Sequence, residues 1–426
     1  MKNYLFLALV LLFSGCATYV PPKQVADLET ISQNPSSYTD TITPKYIYQE
    51  DFFDRYYKIW QSGITNKKED IAWGFNVYSE KNSYGINLKP LKKEFFQKLK
   101  ISSNFDDFKS INRAAITVKY VNLRVFPTSD MLFKDPQQAG EGFPFDYMQN
   151  SSLAPNEPIY ISHFSSDKEW AYAFSSYASG WIKSDDFAYM SDDDIKAIRE
   201  AKKVFIAKDG FSLLSQNGSF LFKSRVGMVL PLVEDEGDFL VLAFSATQEN
   251  APIKNYTLIP KDIGFLEFAT FEPKHIELVI DELIKDRYGW GGMFEQRDCS
   301  SMMRDYFGFF GYFLPRNSAA QARVGDVISL KGLSEKQKIE LIKKEAIPFR
   351  TILFRRGHVV LYVGSVDGEI IVFHNTWGVR TKEGDKIGRF IVGEALFSTL
   401  KLGGELKNAD SDSTLLKTIE SMNILR

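Results

Sequence analysis

Asp298-Cys299-Ser300-Ser301-Met302-Met303-Arg304-Asp305-Tyr306-Phe307 decides how this chain is read. Apolar residues recur from the cysteine at helical spacing, at Met302/Met303, Tyr306/Phe307 and Phe310. This predicts a helix that starts at Cys299, with Asp298 as its cap and Pro315 as its stop. A thiol at a helix N-terminus lies at the positive end of the dipole, a setting that favours the thiolate and makes the sulfur a nucleophile. The other cysteine of the chain, Cys16, lies in an N-terminal leader. A lone cysteine is often buried and inert, so the choice between a nucleophile and a core residue rests on the histidines downstream.

A nucleophilic cysteine needs a base beside the thiol and a third polar group to orient that base. The chain has four histidines. His163 falls among predicted strands and His275 opens a predicted helix; both read as bystanders. His358 begins Gly357-His358-Val359-Val360-Leu361-Tyr362-Val363-Gly364, and His374 ends Ile370-Ile371-Val372-Phe373-His374. Between them, Ser365-Val366-Asp367-Gly368-Glu369 is a hairpin signal. Register decides whether both histidines can serve one site. A two-residue Asp367-Gly368 turn would set His358 opposite Trp377 and put the two histidines on opposite faces. A three-residue Val366-Asp367-Gly368 loop, with Gly368 in a left-handed bulge position, sets His374 opposite Val360. His374 is then diagonal to His358 on the same face. A shared site therefore requires the three-residue loop.

The rest of the chain frames this site. A length of 426 residues suggests two to four domains. Hydrophobic content of 44% and 35 phenylalanines support filled cores rather than disorder. A net charge of −2 gives no electrostatic footprint for nucleic acid, and no run of residues has metal-ligand spacing. Residues 17–112 read as a clip or cap segment, with helices over Tyr46 to Trp60 and Leu88 to Leu99 and a hairpin over Asp70 to Tyr84. Residues 113–195 and 196–270 read as two strand series, with Asp192 to Asp194 at the joint. From 271 to 426 a nucleophile helix on an antiparallel sheet predicts an α+β domain.

Asp298-Cys299-Ser300, the Gly357-His358 strand and the His374-Asn375-x-Trp377-Gly378 strand end resemble the NlpC-type family of papain-like cell-wall cysteine peptidases. Asn122-Leu123-Arg124-Val125-Phe126-Pro127-Thr128 and Gly180-Trp181-Ile182 resemble a bacterial SH3-like barrel. The insert Phe143-Pro144-Phe145-Asp146-Tyr147-Met148-Gln149 is similar to the variant found beside such peptidases. The resemblance implies a multidomain chain: a clip, two SH3-like β-barrels, and an α+β papain-like peptidase. It implies Cys299 as nucleophile, His358 as base, His374 as orienting residue and Tyr288 as an oxyanion partner. It implies cleavage of stem peptides between γ-D-glutamate and a diamino acid, usually meso-diaminopimelate, with preference for a free N-terminal L-alanine. Asp298, Ser300, Arg316 and Ser318 are then the substrate-binding positions, with Asp146, Tyr147 and Tyr177 as barrel residues that close the cleft. No cofactor or metal is implied. Ser301-Met302 departs from the Ser-Gly-Leu common after the cysteine and touches only helix packing.

Tyr4 to Phe13, followed by Ser14-Gly15-Cys16, resembles a bacterial lipoprotein signal over residues 1–16, with Cys16 as the lipidated residue. Phe13 departs from the usual leucine. The implied location is the periplasmic face of a membrane, with Ala17 after the cysteine pointing to the outer membrane. Two other readings fit the motifs: an amidase or acyltransferase on the same site, or a non-catalytic lipoprotein that binds peptidoglycan.

Overall fold

The computed structural model describes residues 24–426, so the leader and Cys16 lie outside the described residues. In the clip, helices span Phe52–Tyr56, Lys58–Ser62 and Lys93–Ser102. The expected hairpin over Asp70 to Tyr84 is instead two helical turns, Lys68–Ile71 and Gly74–Val77. Asp70 accepts the Lys67 N–H at 2.8 Å, a local cap that favours a helical turn over a strand. The clip's aromatic side chains fill the cores of other units. Trp60 is buried with Trp170, Tyr172 and Trp181, and its indole N–H donates to the carbonyls of Ala115 and Ile159.

The first barrel is an antiparallel seven-stranded sheet. Its strands run in the order Gln149–Leu153, Val121–Arg124, Ser179–Lys183, Trp170–Ser175, Pro158–Phe164, Arg113–Thr117 and Phe187–Tyr189. Between Arg124 and Gln149 the chain leaves the sheet as a long insert. The aspartates at the joint are the first turn of a helix, Asp192–Glu200, where acids suit the dipole and the Ser191 side chain caps Asp194 N–H. The second barrel has a five-stranded sheet built from Lys203–Ile206, Val229–Glu234, Phe239–Ala246, Pro252–Ile259 and Gly264–Phe265, with a separate small hairpin.

In the last unit, helices Pro273–Leu283 and Cys299–Phe309 pack on a six-stranded antiparallel sheet. Met302, Met303, Tyr306, Phe307 and Phe310 are buried against Ile352, Val359, Leu361 and Phe373. The periodicity that predicted the helix is thus the face that forms the core. The helix ends at Phe309, before the Pro315 stop. Gly311 takes φ 85°, and a Cβ there would come 2.8 Å from the Phe268 ring.

The hairpin corrects the expected loop while keeping its consequence. Val366 pairs with Glu369, so the turn is the two-residue Asp367-Gly368, with φ of 49° and 86°. The extra residue sits inside the strand His358–Val366 instead. Tyr362 faces Val372 and Gly364 faces Ile371, leaving Val363 as a bulge. Beyond it Leu361 faces Phe373, and both histidines lie on one face.

Candidate active site

Asp298 builds the start of the nucleophile helix. One carboxylate oxygen accepts the N–H groups of Ser300 (3.1 Å) and Ser301 (2.8 Å), and Ser301 Oγ accepts the Asp298 N–H in return. The Cys299 N–H takes no part in this cap. The same carboxylate forms a bidentate pair with Arg316, at 3.1 and 2.8 Å. Arg316 also donates to Ser300 Oγ (3.0 Å) and across to Ser151 Oγ of the first barrel (2.7 Å). Burial raises the Asp298 carboxyl, but Arg316 and the cap together outweigh it and hold the group below its usual range.

The bases are fixed by a directional chain. Ser398 Oγ donates to the Thr399 carbonyl (3.0 Å) and accepts Nε2–H of His374 (2.9 Å). Nδ1 of His374 then accepts Nε2–H of His358 (2.8 Å), so the network assigns Nδ1 of His358 as the free base. Val359 packs with Cys299 in the core, and its N–H acts to lower the thiol, which places the nucleophile by the head of the His358 strand. The helix dipole does not decide the charge state. Burial pushes the Cys299 thiol up to about 12, and Asp298 adds to the push. Burial takes His358 down to about 3, with the Arg355 guanidinium acting the same way. The resting pair is therefore a neutral thiol beside a neutral imidazole.

Tyr288 is buried, and burial, with the Asp298 carboxylate adding to it, keeps its hydroxyl protonated as a donor. Its ring stands 6.1 Å from Trp377 and 6.5 Å from Phe145, which projects from the barrel insert. With His358 and His374 these residues border a cleft of about 260 Å³. Gly291 and Gly292, both at positive φ, let the following loop approach the barrel. Tyr120 donates to the Gly292 carbonyl (2.9 Å) and Gln149 to that of Gly291 (3.2 Å).

The other sequence-derived positions divide. Ser300 joins the Asp298–Arg316 group, whereas Ser318 opens a short helix and makes no hydrogen bond to that group. Asp146 is committed internally. It is 1% exposed, paired with Arg124 at 2.7 Å, and accepts the N–H groups of Leu132 and Met148. It shapes the insert and is buried away from substrate. Tyr147 bonds Glu141 (2.9 Å) and packs on Trp290. Tyr177 lies under the Arg304 guanidinium, 3.5 Å from its ring centre. It borders a second cavity of about 60 Å³, shared with Arg316, Ser301 and Glu157. His163 and His275 are held by local hydrogen bonds, to Ser162 and Ser103 and to Thr270. Ser398, Phe145 and Glu157 were missed from sequence. Only the adjacency of Phe145 to Asp146 gave any signal.

With this geometry in place, the comparisons identify the class. Residues 285–386 match the NlpC/P60 family and residues 5–108 the N-terminal NLPC_P60 stabilising domain. Residues 131–183 match an SH3 domain of SH3b1 type and residues 192–235 one of SH3b2 type. The chain is thus a multidomain protein in which a clip and two SH3b domains precede an NlpC/P60 domain, a domain family of cysteine peptidases. Its fold is similar to that of an NlpC/P60 endopeptidase from Photobacterium damselae subsp. piscicida. That match has TM-score 0.79 and 24% identity, over 93% of this chain and 97% of that one. An NlpC/P60 family protein from Bacillus cereus ATCC 10987 matches with TM-score 0.47 and 14% identity, over 74% of this chain and all of that one. No curated protein matches. The NlpC/P60 domain implies a cell-wall hydrolase.

Proposed function

We propose that the chain is a cysteine endopeptidase that cleaves peptidoglycan stem peptides between γ-D-glutamate and a diamino acid, meso-diaminopimelate in the first instance. The observation that carries this reading is the Ser398–His374–His358 chain, set on the strand whose next residue, Val359, packs with Cys299. As Sγ attacks the γ-carbonyl carbon of D-glutamate, its proton passes to Nδ1 of His358, and His374 takes up the orientation of the resulting imidazolium. The Cys299 N–H and the Tyr288 hydroxyl are the donors for the oxyanion. Collapse breaks the C–N bond, His358 returns the proton to the departing amine, and water then releases the L-Ala-γ-D-Glu acyl group from sulfur by the reverse transfers.

The preference for a free L-alanine amine belongs to the same reading. Asp298 is committed to Arg316, so the carboxylate that suits the amine is Glu157 in the adjoining cavity. Burial raises Glu157 to about 7, and its one side-chain partner is the Tyr56 hydroxyl at 3.4 Å. A cationic amine placed there gains a charge-assisted bond, and an acylated amine loses it. The charged cleft beside the histidines favours a peptidase over an acyltransferase that must hold a fatty chain. Cys16 as a lipidated residue, anchoring the enzyme at the periplasmic face of the outer membrane, completes the proposal.

The test is mass spectrometry of L-Ala-γ-D-Glu-diaminopimelate and its N-acetyl form after incubation with the enzyme. Release of L-Ala-D-Glu with a new diaminopimelate amine, faster by roughly ten- to a hundredfold from the free-amine peptide, supports the reading. Cleavage at another bond overturns the bond assignment. Equal rates overturn the amine preference.

A further inference from the structure

The cleft beside the catalytic histidines carries a charge imbalance that the hydrolytic step does not use. Its border includes Arg355, Arg356, Arg380 and Arg389, against one carboxylate, Asp410. Two of these arginines face each other directly across the long hairpin, Arg380 opposite Arg389. Like charges in directly opposed positions destabilise a sheet. Asp410 is the one carboxylate at hand: it pairs with Arg380 at 3.1 Å and its charge also reaches Arg389, leaving the three guanidinium groups of Arg355, Arg380 and Arg389 to one acid. Arg355 lies directly opposite His358 in its own hairpin and is fixed by a bond to the Ser413 carbonyl at 3.0 Å. Burial lowers Arg355 and Arg389, and the neighbouring arginines push both further down, so these guanidinium groups sense one another across the cleft. A Cβ at Gly140 would stand 3.2 Å from Nη2 of Arg389, so the first-barrel insert packs directly over that side chain. The sheet thus presents a net positive cluster along the open side of the cleft, with more guanidinium groups than carboxylates, which an anionic ligand would complement.

The pocket lies where the leaving group must be. His358 returns its proton to the departing amine, so the residue on the far side of the scissile bond occupies the His358 side of the sulfur. From the position of the cluster on that side we propose that Arg355, Arg380 and Arg389 bind the carboxylates of the diamino acid leaving group. The site therefore selects stems that end in a free, unamidated diamino acid. This rests on the endopeptidase reading and adds the chemistry of its leaving-group subsite. A carboxylate meets planar forked donors there, whereas a diaminopimelate diamide keeps its ammonium and brings no carboxylate, and a terminal lysine side chain likewise brings only a cation.

Two measurements test the proposal and separate it from the reading it rests on. The first is calorimetric binding of L-Ala-γ-D-Glu-diaminopimelate and of its diaminopimelate diamide to the full-length Cys299→Ala protein. The acid form should bind about tenfold or more tightly. Arg389→Gln should shrink that ratio toward one, and Arg389→Lys should restore part of it, a pattern that mere loss of packing would not give. The second is the kcat/KM ratio for the same two peptides with the active enzyme, where the preference should appear mainly in KM. Equal binding of acid and amide forms, failure to bind either, or an unchanged ratio in Arg389→Gln overturns the pocket assignment. Discriminating binding without cleavage by the Cys299 enzyme leaves the pocket standing and overturns the endopeptidase reading.

Discussion

Asp298 serves two structures with one carboxylate, capping the nucleophile helix and neutralising the Arg316 that ties the helix to the first barrel. Its charge also raises the thiol. Asp298→Asn should therefore make Cys299 alkylate faster with iodoacetamide at neutral pH, because the raising charge is gone and Arg316 is left uncompensated. The same change should destabilise the fold by about 3–5 kcal/mol, since it leaves a buried guanidinium unpaired. Slower alkylation would contradict the electrostatic account. Glu157 gives a pH prediction. Its folded value of about 7 lies above that of an exposed glutamate, so the native state holds the proton more tightly. Stability should then fall as pH rises through the interval from about 4.5 to 7, by roughly 2–3 kcal/mol. In Glu157→Gln this slope should be missing from denaturant melts taken across the same interval, and an unchanged slope would remove Glu157 as its source. At this scale Cys299, His358 and His374 were legible because their residue types are rare and their spacing fits a helix and a hairpin. Asp146 misled, because an aspartate in a loop sequence gives no sign that Arg124 and two backbone N–H groups will consume it. Ser398 was invisible, being one serine among many until the strand places it beside His374.

The hairpin shows how an element can reach its end by a different route. Two histidines sixteen positions apart share a face only if the register slips by one, and the sequence placed that slip in the loop. The structure keeps the tight Asp367-Gly368 turn, whose left-handed angles suit that pair, and inserts the slip at Val363. A bulge leaves little trace in a run of β-branched and aromatic residues, whereas a glycine turn leaves a strong one. Deleting Val363 should restore regular pairing and rotate His358 away from His374. The variant should fold, keep its hairpin by circular dichroism, and lose at least about a hundredfold in kcat/KM. Near-normal activity would show that the bulge does not set the site. The clip is the opposite case. Its helices were predicted too long, and its expected hairpin is helical, because its aromatic residues answer to the cores of the barrels rather than to a period of their own.

Across the whole molecule, changes in strand spacing marked two strand series before an α+β segment, and the resemblance made these a clip, two barrels and a peptidase, but the coupling between them was not readable. Arg297, immediately before the cap, is 1% exposed and binds Asp209 of the second barrel together with Asp286 and Asp305 of the peptidase unit. Arg225 of the second barrel joins the same group at Asp305 (2.8 Å). The second barrel thus holds the segment that carries the nucleophile, much as Ser151 of the first holds Arg316. Asp209→Ala should cost about 1.5–3 kcal/mol in denaturant unfolding, because Arg297 keeps Asp286 and Asp305, and should lower kcat although residue 209 lies outside the peptidase unit. Unchanged stability and rate would make the second barrel an independent appendage. The central claim is that Cys299 carries the acyl half of the substrate, and intact-protein mass spectrometry of acid-quenched enzyme tests it most directly. With L-Ala-γ-D-Glu-diaminopimelate as substrate, the account predicts an added L-Ala-γ-D-Glu group that maps to the Cys299 peptide and is missing from Cys299→Ala. Product formation by Cys299→Ala, or an adduct that contains the diamino acid, would contradict it.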